Sequence, residues 1–374
     1  MRIVVAPDSF KECLSGPEVG KSISDGLSAH IPEAEIDILP MADGGEGTVE
    51  ALVYAANGRT VEVEAEDPFG KKIMSGYGVL GDNQTVIIEM AKVAGMQVIS
   101  QRNPMKASTY GVGELMKHAI SNGYRKIIVG LGGSATNDGG QGMLQALGGK
   151  FFDISGNPVP LGGGNVNEIS KIDLSGIIPE VYQSKIIIAS DVKTQLCGKD
   201  GATYVFGPQK GIPEHKLAEV DQGISHFANL IENEIGQKIR EIPGSGAAGG
   251  LGFGLLALNA EIQSGAAIVA EAMKLDQYIK HADWVITGEG KSDFQSVYGK
   301  VPVHVAEIAQ NHGVKTILIS GALGENYQQL YQYFTSCHSI SNRPMSLNES
   351  IENAKQLLYE TAYNVARLIQ LDKR

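Results

Sequence analysis

The stretch Lys126-Ile-Ile-Val-Gly-Leu-Gly-Gly-Ser-Ala-Thr-Asn-Asp-Gly-Gly140 decides the fold class. An apolar run of strand length, Ile127 to Val129, empties into a loop of small residues. Helical spacing of Met143, Leu144 and Leu147 follows directly. A strand, a glycine turn and a helix N-terminus in that order aim backbone N–H groups and the positive end of a helix dipole at one point. Gly132, Gly133, Gly139 and Gly140 permit positive φ and close approach of a ligand. Ser134, Thr136 and Asn137 add side-chain donors, and Asp138 adds a carboxylate. The loop is expected to cradle phosphate; the plainer alternative is an ordinary strand-to-helix turn.

Towards the N-terminus the same rhythm recurs. Ile3 to Ala6 reads as a strand ending in Pro7-Asp8-Ser9-Phe10-Lys11, followed by a helix carrying Val19, Ile23 and Leu27. Ile36, Ile38 and Leu39 form a second strand that delivers Pro40-Met-Ala-Asp-Gly-Gly-Glu-Gly-Thr48, and another helix follows. This βαβα pattern opens a parallel sheet. From about Thr60 the pattern turns antiparallel, with strands at 61–65, 73–80 and 85–90. Near Asp283 the first rhythm returns, with the strand Trp284 to Ile286 entering Thr287-Gly-Glu-Gly-Lys-Ser-Asp293. The expected fold is α/β: an open parallel Rossmann-like sheet domain, 1–60 plus 283–374, with a second mixed α/β domain, 61–282, inserted in it.

Bulk properties narrow the function. A chain of 374 residues accommodates two cores. Its net charge of −11 argues against nucleic acid or an anionic membrane as partner. The 47 glycines are concentrated in a few loops, which points to ligand-binding turns. Cys13, Cys197 and Cys337 form no disulfide framework or metal spacing. No signal-peptide core or bilayer-length apolar run is evident, so a cytoplasmic protein is expected.

Acidic residues sit at strand ends among glycines and hydroxyls: Asp8, Asp43, Asp138, Asp191 and Asp293. Lys11, Lys210, Lys291 and Lys300 lie in or beside those loops. Ligands of open α/β sheets bind outside the carboxyl ends of strands. Phosphoryl transfer needs carboxylates for Mg²⁺, a base for the attacking hydroxyl, and cations and amides for phosphate oxygens. A second glycine loop, Pro243 to Gly252, formally contains GxGxxG at Gly244, Gly246 and Gly249 but follows no convincing strand. Close helix packing and a phosphate or substrate loop are equally good readings of it. Val205-Phe-Gly-Pro-Gln-Lys-Gly211 reads as a tight turn bearing a cation, facing substrate in the preferred reading and merely a solvated loop in the alternative.

Ala6-Pro-Asp-Ser-Phe-Lys11, Met41-Ala-Asp-Gly-Gly-Glu-Gly-Thr48, Gly132 to Gly140, Ser190-Asp-Val192, Val205 to Gly211, Pro243 to Leu251, Thr287 to Asp293 and Gly299-Lys-Val-Pro302 together resemble the bacterial glycerate kinases that act on D-glycerate. The resemblance runs nearly the whole length in order. It implies ATP-dependent phosphorylation of D-glycerate with Mg²⁺, at the 2-hydroxyl, by two α/β domains facing each other across a cleft that holds the active site. Phosphorylation at the 3-hydroxyl is the alternative product. From residue chemistry, Asp191 is the first expectation for the base and Asp293 the second, while Asp8 and Asp43 are expected to hold Mg²⁺. Lys11 or Lys300 would neutralise the transferring group. Ser9, Lys210, Ser245, Gly288 and Glu289 join the loops at 132–140 and 244–250 as expected substrate or phosphate contacts. Two readings of other classes are a non-catalytic small-hydroxyacid binding protein and a dinucleotide-dependent oxidoreductase.

Overall fold

A computed structural model describes residues 1–371 except Glu12, Glu46 and Gly299, and leaves out the side chains of Ala55, Gln295 and Tyr298. Glu46 and Gly299, members of two motifs quoted above, therefore lie outside the described residues. Along the chain the strands are β1 (Arg2–Val5), β2 (Glu35–Ile38), β3 (Arg59–Glu66), β4 (Lys72–Val79), β5 (Thr85–Glu89), β6 (Lys126–Gly130), β7 (Lys150–Phe152) and β8 (Lys171–Asp173). They continue as β9 (Lys185–Ala189), β10 (Glu261–Gln263), β11 (Trp284–Thr287), β12 (Lys291–Ser292), β13 (Lys315–Ser320), β14 (Ala322–Leu323) and β15 (Ser336–Ser339).

The chain divides into two compact units. The first comprises Met1–Asp43, Glu50–Ala55 and the chain from Ala266 on; the second comprises Gly44–Val49 and Ala56–Gly265. The return to the first unit falls at Ala266, ahead of the expected Asp283. The helices Gly265–Ala272 and Leu275–Ile279 precede β11 and carry no strand signal to mark the change.

In the first unit a five-stranded parallel sheet runs β15-β13-β11-β1-β2. Its three inner strands, β1, β11 and β13, are short, mainly apolar runs because both faces are covered, while the edge strands β2 and β15 are more polar and half-exposed. On one side Ile3, Val5, Ile286, Ile317 and Ile319 pack with Val19, Ile23 and Leu27 of helix Gly16–His30 and with Leu358, Ala362 and Val365 of helix Ala354–Leu371. Ser15 caps the first of these helices in a reciprocal capping box with Glu18. Gly26 lets the two helices approach, since a Cβ there would strike the Tyr359 carbonyl.

The second unit is built on a six-stranded mixed sheet, β10-β9-β6-β5-β4-β3. β3, β4 and β5 pair antiparallel as the alternation foretold, but β5 then pairs parallel with β6. Its core includes Ile127, Val129, Ile186, Ile188, Phe227 and Phe253, with the helix Leu217–Ile235 contributing Ile224 and Ile231. No helix among the described residues is long and apolar enough to cross a membrane.

Candidate active site

In the first unit three parallel strands deliver their loops to one place. β1 continues to Asp8, whose N–H donates to Gly288 O at 2.9 Å; the Met41 N–H donates to Pro7 O at 2.8 Å, and Thr287 Oγ1 to Ala6 O at 2.7 Å. Backbone pairing thus carries past the strand ends and fixes the loops bearing Asp8, Asp43 and Glu289 against one another. They line a cavity of about 610 Å³ together with Lys11 and Lys300.

The charges there are interlocked. Lys11 Nζ lies 3.0 Å from Asp43 Oδ2, and that carboxylate, with Asp8, raises the lysine's hold on its proton. Asp8 is buried, and burial together with the Asp43 charge pushes its carboxyl up to about 8 against the pull of Lys11. Its Oδ1 accepts from the Ser9 N–H at 2.7 Å, while the buried Ser9 Oγ finds no partner in the protein. Lys291 and Asp293 pair at 3.7 Å beside the cavity that Lys291 helps to line.

Glu289 differs from its expected role as a substrate contact. Its Oε1 accepts from Ser292 Oγ at 2.9 Å and Ser296 Oγ at 2.7 Å, and its Oε2 stands 3.3 Å from Lys300 Nζ. Ser292 Oγ in turn lies 2.7 Å from Ser320 Oγ. The carboxylate is anchored on one oxygen and presents the other to Lys300, so it aims that cation. Glu289→Gln keeps an acceptor for the serines and removes the charge facing Lys300. We expect kcat/KM to fall about 10–100-fold while the melting temperature barely moves, since misplacement of a binding cation costs on that scale. An unchanged kcat/KM would refute the positioning role.

In the second unit the loop after β6 corrects its first reading in part. Gly139 and Gly140 do take positive φ, 65° and 82°, but the amides beyond them are already engaged. Asp138 Oδ1 accepts from Gly140 N–H at 3.0 Å. Its Oδ2 accepts from Gly142 N–H at 3.3 Å, Thr109 N–H at 2.8 Å and Thr109 Oγ1 at 2.9 Å. The helix it begins, Gln141–Ala146, is short, and Asp138 takes the place at its start that a phosphate was expected to hold. Asp138 is fully buried and braces the loop. The solvent-facing part is Gly132 and Gly133, with Ser134 beside them. A Cβ on Gly132 would collide with Gly45 Cα, so that glycine answers a close backbone approach.

The segment 205–211 is a helix, Ala202–Lys210, with Pro208 inside it and Gly211 closing it at φ 103°. Lys210, expected on a turn facing substrate, is instead buried and donates to Thr136 O at 2.7 Å. Burial pulls its ammonium down to about 7, opposed by Asp138; burial likewise raises the Asp138 carboxyl against its hydrogen bonds to Thr109 and Gly140. Because the folded value lies below the ordinary 10.5 of lysine, the unfolded chain binds the extra proton in that window. The destabilisation from burying the ammonium is full below about pH 7 and fades as pH approaches about 10.5. Wild type should therefore gain melting temperature relative to Lys210→Met across that range; parallel curves would show that Lys210 does not titrate there.

Thr136 Oγ1 and Asn137 Oδ1 are buried without a protein partner, although Asn137 Nδ2 donates to Thr203 Oγ1 at 3.1 Å. The loop 244–250 packs on this one: a Cβ on Gly249 would strike Thr136 O, and one on Gly246 would strike Gln195 O. Ser245 is buried and donates to Arg240 O at 2.6 Å. Close packing is thus the reading of the GxGxxG run, and Gly244 and Ser245 belong to that scaffold. Asp191 follows β9 at a half-buried position, next to Ser190.

Sequence reading missed Thr109, Ser292, Ser296 and Ser320, whose signal is only a hydroxyl among small residues. It also missed the apolar wall of the first cavity, formed by Ile340, Met345, Leu347 and Ile351. The capping pattern Ser346-Leu-Asn-Glu349 marks the start of the helix that carries Leu347 and Ile351 of that wall, with Ser346 Oγ accepting from Glu349 N–H at 3.2 Å.

Carboxylates and ammonium groups interleaved at the carboxyl ends of parallel strands are the equipment of a phosphotransferase. The model of the glycerate kinase family matches residues 3–370. The glycerate kinase of Halalkalibacterium halodurans is 43% identical over 368 residues, covering 97% of each chain. The glycerate 2-kinase of Escherichia coli is 40% identical and covers 100% of this chain and 99% of its own. The crystal structure of a candidate glycerate kinase 2 from Salmonella typhimurium superposes with a TM-score of 0.86 at 40% identity, covering 100% of this chain and 99% of the other. The chain belongs to the glycerate kinase family, and it is a kinase. The binding-protein and oxidoreductase readings fall with that finding.

Proposed function

We propose that this enzyme transfers the γ-phosphoryl group of ATP to the 2-hydroxyl of D-glycerate, giving 2-phosphoglycerate and ADP. The observation that carries the proposal is the cavity of the first unit, where Asp8 and Asp43 stand with Lys11 and Lys300. Among the described residues no three side chains converge as a metal cluster. Mg²⁺ needs only one or two carboxylates, the rest of its shell coming from water and phosphate oxygens. Asp8 and Asp43 fit that donor set: burial, and then the Asp43 charge, raise the Asp8 carboxyl, and a dication there would favour its ionised form. Bound there, Mg²⁺ would neutralise charge on the β- and γ-phosphates.

Lys11 and Lys300 supply cations to the phosphoryl oxygens, Lys300 held in aim by Glu289. In the second unit Thr136 Oγ1 and Asn137 Oδ1 have no protein partner, which supports their hydrogen bonding to hydroxyl groups of the acid, with Ser134 beside them. Asp191 accepts the acceptor hydroxyl's proton as the oxygen attacks phosphorus; Asp293 is the second candidate. That the Escherichia coli relative is a glycerate 2-kinase supports the 2-position.

The test is a coupled ADP-release assay with ATP, Mg²⁺ and D-glycerate, followed by ³¹P NMR of the product. Turnover to 2-phosphoglycerate alone is expected. A single 3-phosphoglycerate product would overturn the regiochemistry, and absence of ADP release would overturn the acceptor or the donor.

A further inference from the structure

The first-unit cavity has an apolar lining that a three-carbon acid cannot use. Besides the charged groups, its wall includes Phe10, Ile340, Met345, Leu347, Ile351 and Ala354. Every carbon of D-glycerate bears oxygen, so it has no apolar surface to bury there. At about 610 Å³ the cavity is in the range of sites for whole cofactor-sized molecules, far beyond glycerate alone. Leu347 and Ile351 are one helical turn apart on helix Leu347–Glu352 and remain 75% and 38% exposed, two aliphatic side chains on one face of one turn. Ser341 and Ser350 line the same wall and bring hydroxyls to it.

We infer that this wall seats the purine ring of the nucleotide, with its phosphates directed to Lys11, Lys300 and the Asp8–Asp43 pair. The inference rests on the kinase reading and extends it by giving the donor's base a place in the first unit. A flat heteroaromatic ring needs an apolar surface for its face and polar groups for its edge, and wall and serines provide both. The charged groups suit the triphosphate and the apolar ones the base, so one cavity offers both kinds of partner the ligand needs.

The test uses Leu347→Asp and, independently, Ile351→Ala in the full chain. ADP binding with Mg²⁺ is measured by calorimetry, inorganic tripolyphosphate serves as a probe without a base, and KM is determined for ATP and for D-glycerate. Leu347→Asp should weaken ADP by about tenfold or more, a loss of about 1.4 kcal/mol. Ile351→Ala should weaken it to a lesser degree. Tripolyphosphate affinity and the KM for D-glycerate should stay at wild-type values. Unchanged ADP affinity in both variants overturns the inference, as does equal weakening of tripolyphosphate. A rise in the KM for D-glycerate alone would overturn it too, by assigning the wall to the acceptor. Since ADP binding is read without turnover, a wild type that binds ADP through Leu347 but fails to phosphorylate glycerate would sink the proposed reaction and leave this subsite standing.

Discussion

Asp191→Asn should lower kcat by about 10²–10⁴-fold with little change in the KM for ATP, because removing a general base acts on the transition state and leaves nucleotide binding alone. The residue follows β9, whose Ile186, Ile187 and Ile188 are buried and lead the chain to Ser190 and Asp191. Asparagine preserves size and hydrogen bonding but takes no proton. The pH–rate profile of kcat should lose its acidic limb in the variant. Near-wild-type kcat would pass the assignment to Asp293, whose own Asn variant should then show the loss.

The second large effect is on stability. Asp138→Ala removes the acceptor for Gly140 N–H, Gly142 N–H, Thr109 N–H and Thr109 Oγ1, all inside the second unit. Each stranded buried donor costs about 1–3 kcal/mol. A total loss above about 3 kcal/mol is therefore expected, enough to remove much of a domain's stability. It also strips Lys210 of its counter-charge. Asp138→Asn, which keeps one acceptor oxygen, should lie between. If chemical denaturation found the alanine variant within about 1 kcal/mol of wild type, the bracing role would be wrong.

These two aspartates show what the sequence disclosed and what it withheld. Both lie in loops that follow apolar runs of strand length, and both were expected in the site for that reason. The parallel alternation that places Asp8, Asp43 and Asp191 at strand ends depends only on local periodicity and glycine, so it is legible along the chain. What separates Asp138 from Asp191 is Thr109, a partner 29 residues away that no local pattern announces. Lys210 was misjudged for a similar reason. Pro208 and the flanking glycines of 205–211 look like a turn, yet proline near the end of a helix removes few bonds, and the helix Ala202–Lys210 forms. The boundary at Ala266 was hidden because two helices lead back to β11. Glu289 was found by its motif, but its engagement with Ser292, Ser296 and Lys300 required coordinates.

The pairing of β1 with β11 at the centre of the first sheet has a consequence for how the chain reaches its native state. The Arg2 N–H meets Asp283 Oδ2 across 281 residues, so the middle of that sheet is closed by one of the longest loops the chain can form. Bringing such distant ends together carries a large entropic barrier unless the intervening chain is already compact. The second unit supplies most of that intervening chain. Its collapse shortens the effective loop, which makes it the natural nucleus. A nascent first unit, holding β1 and β2 but lacking β11, must wait with one edge of β1 unpaired until synthesis passes Thr287.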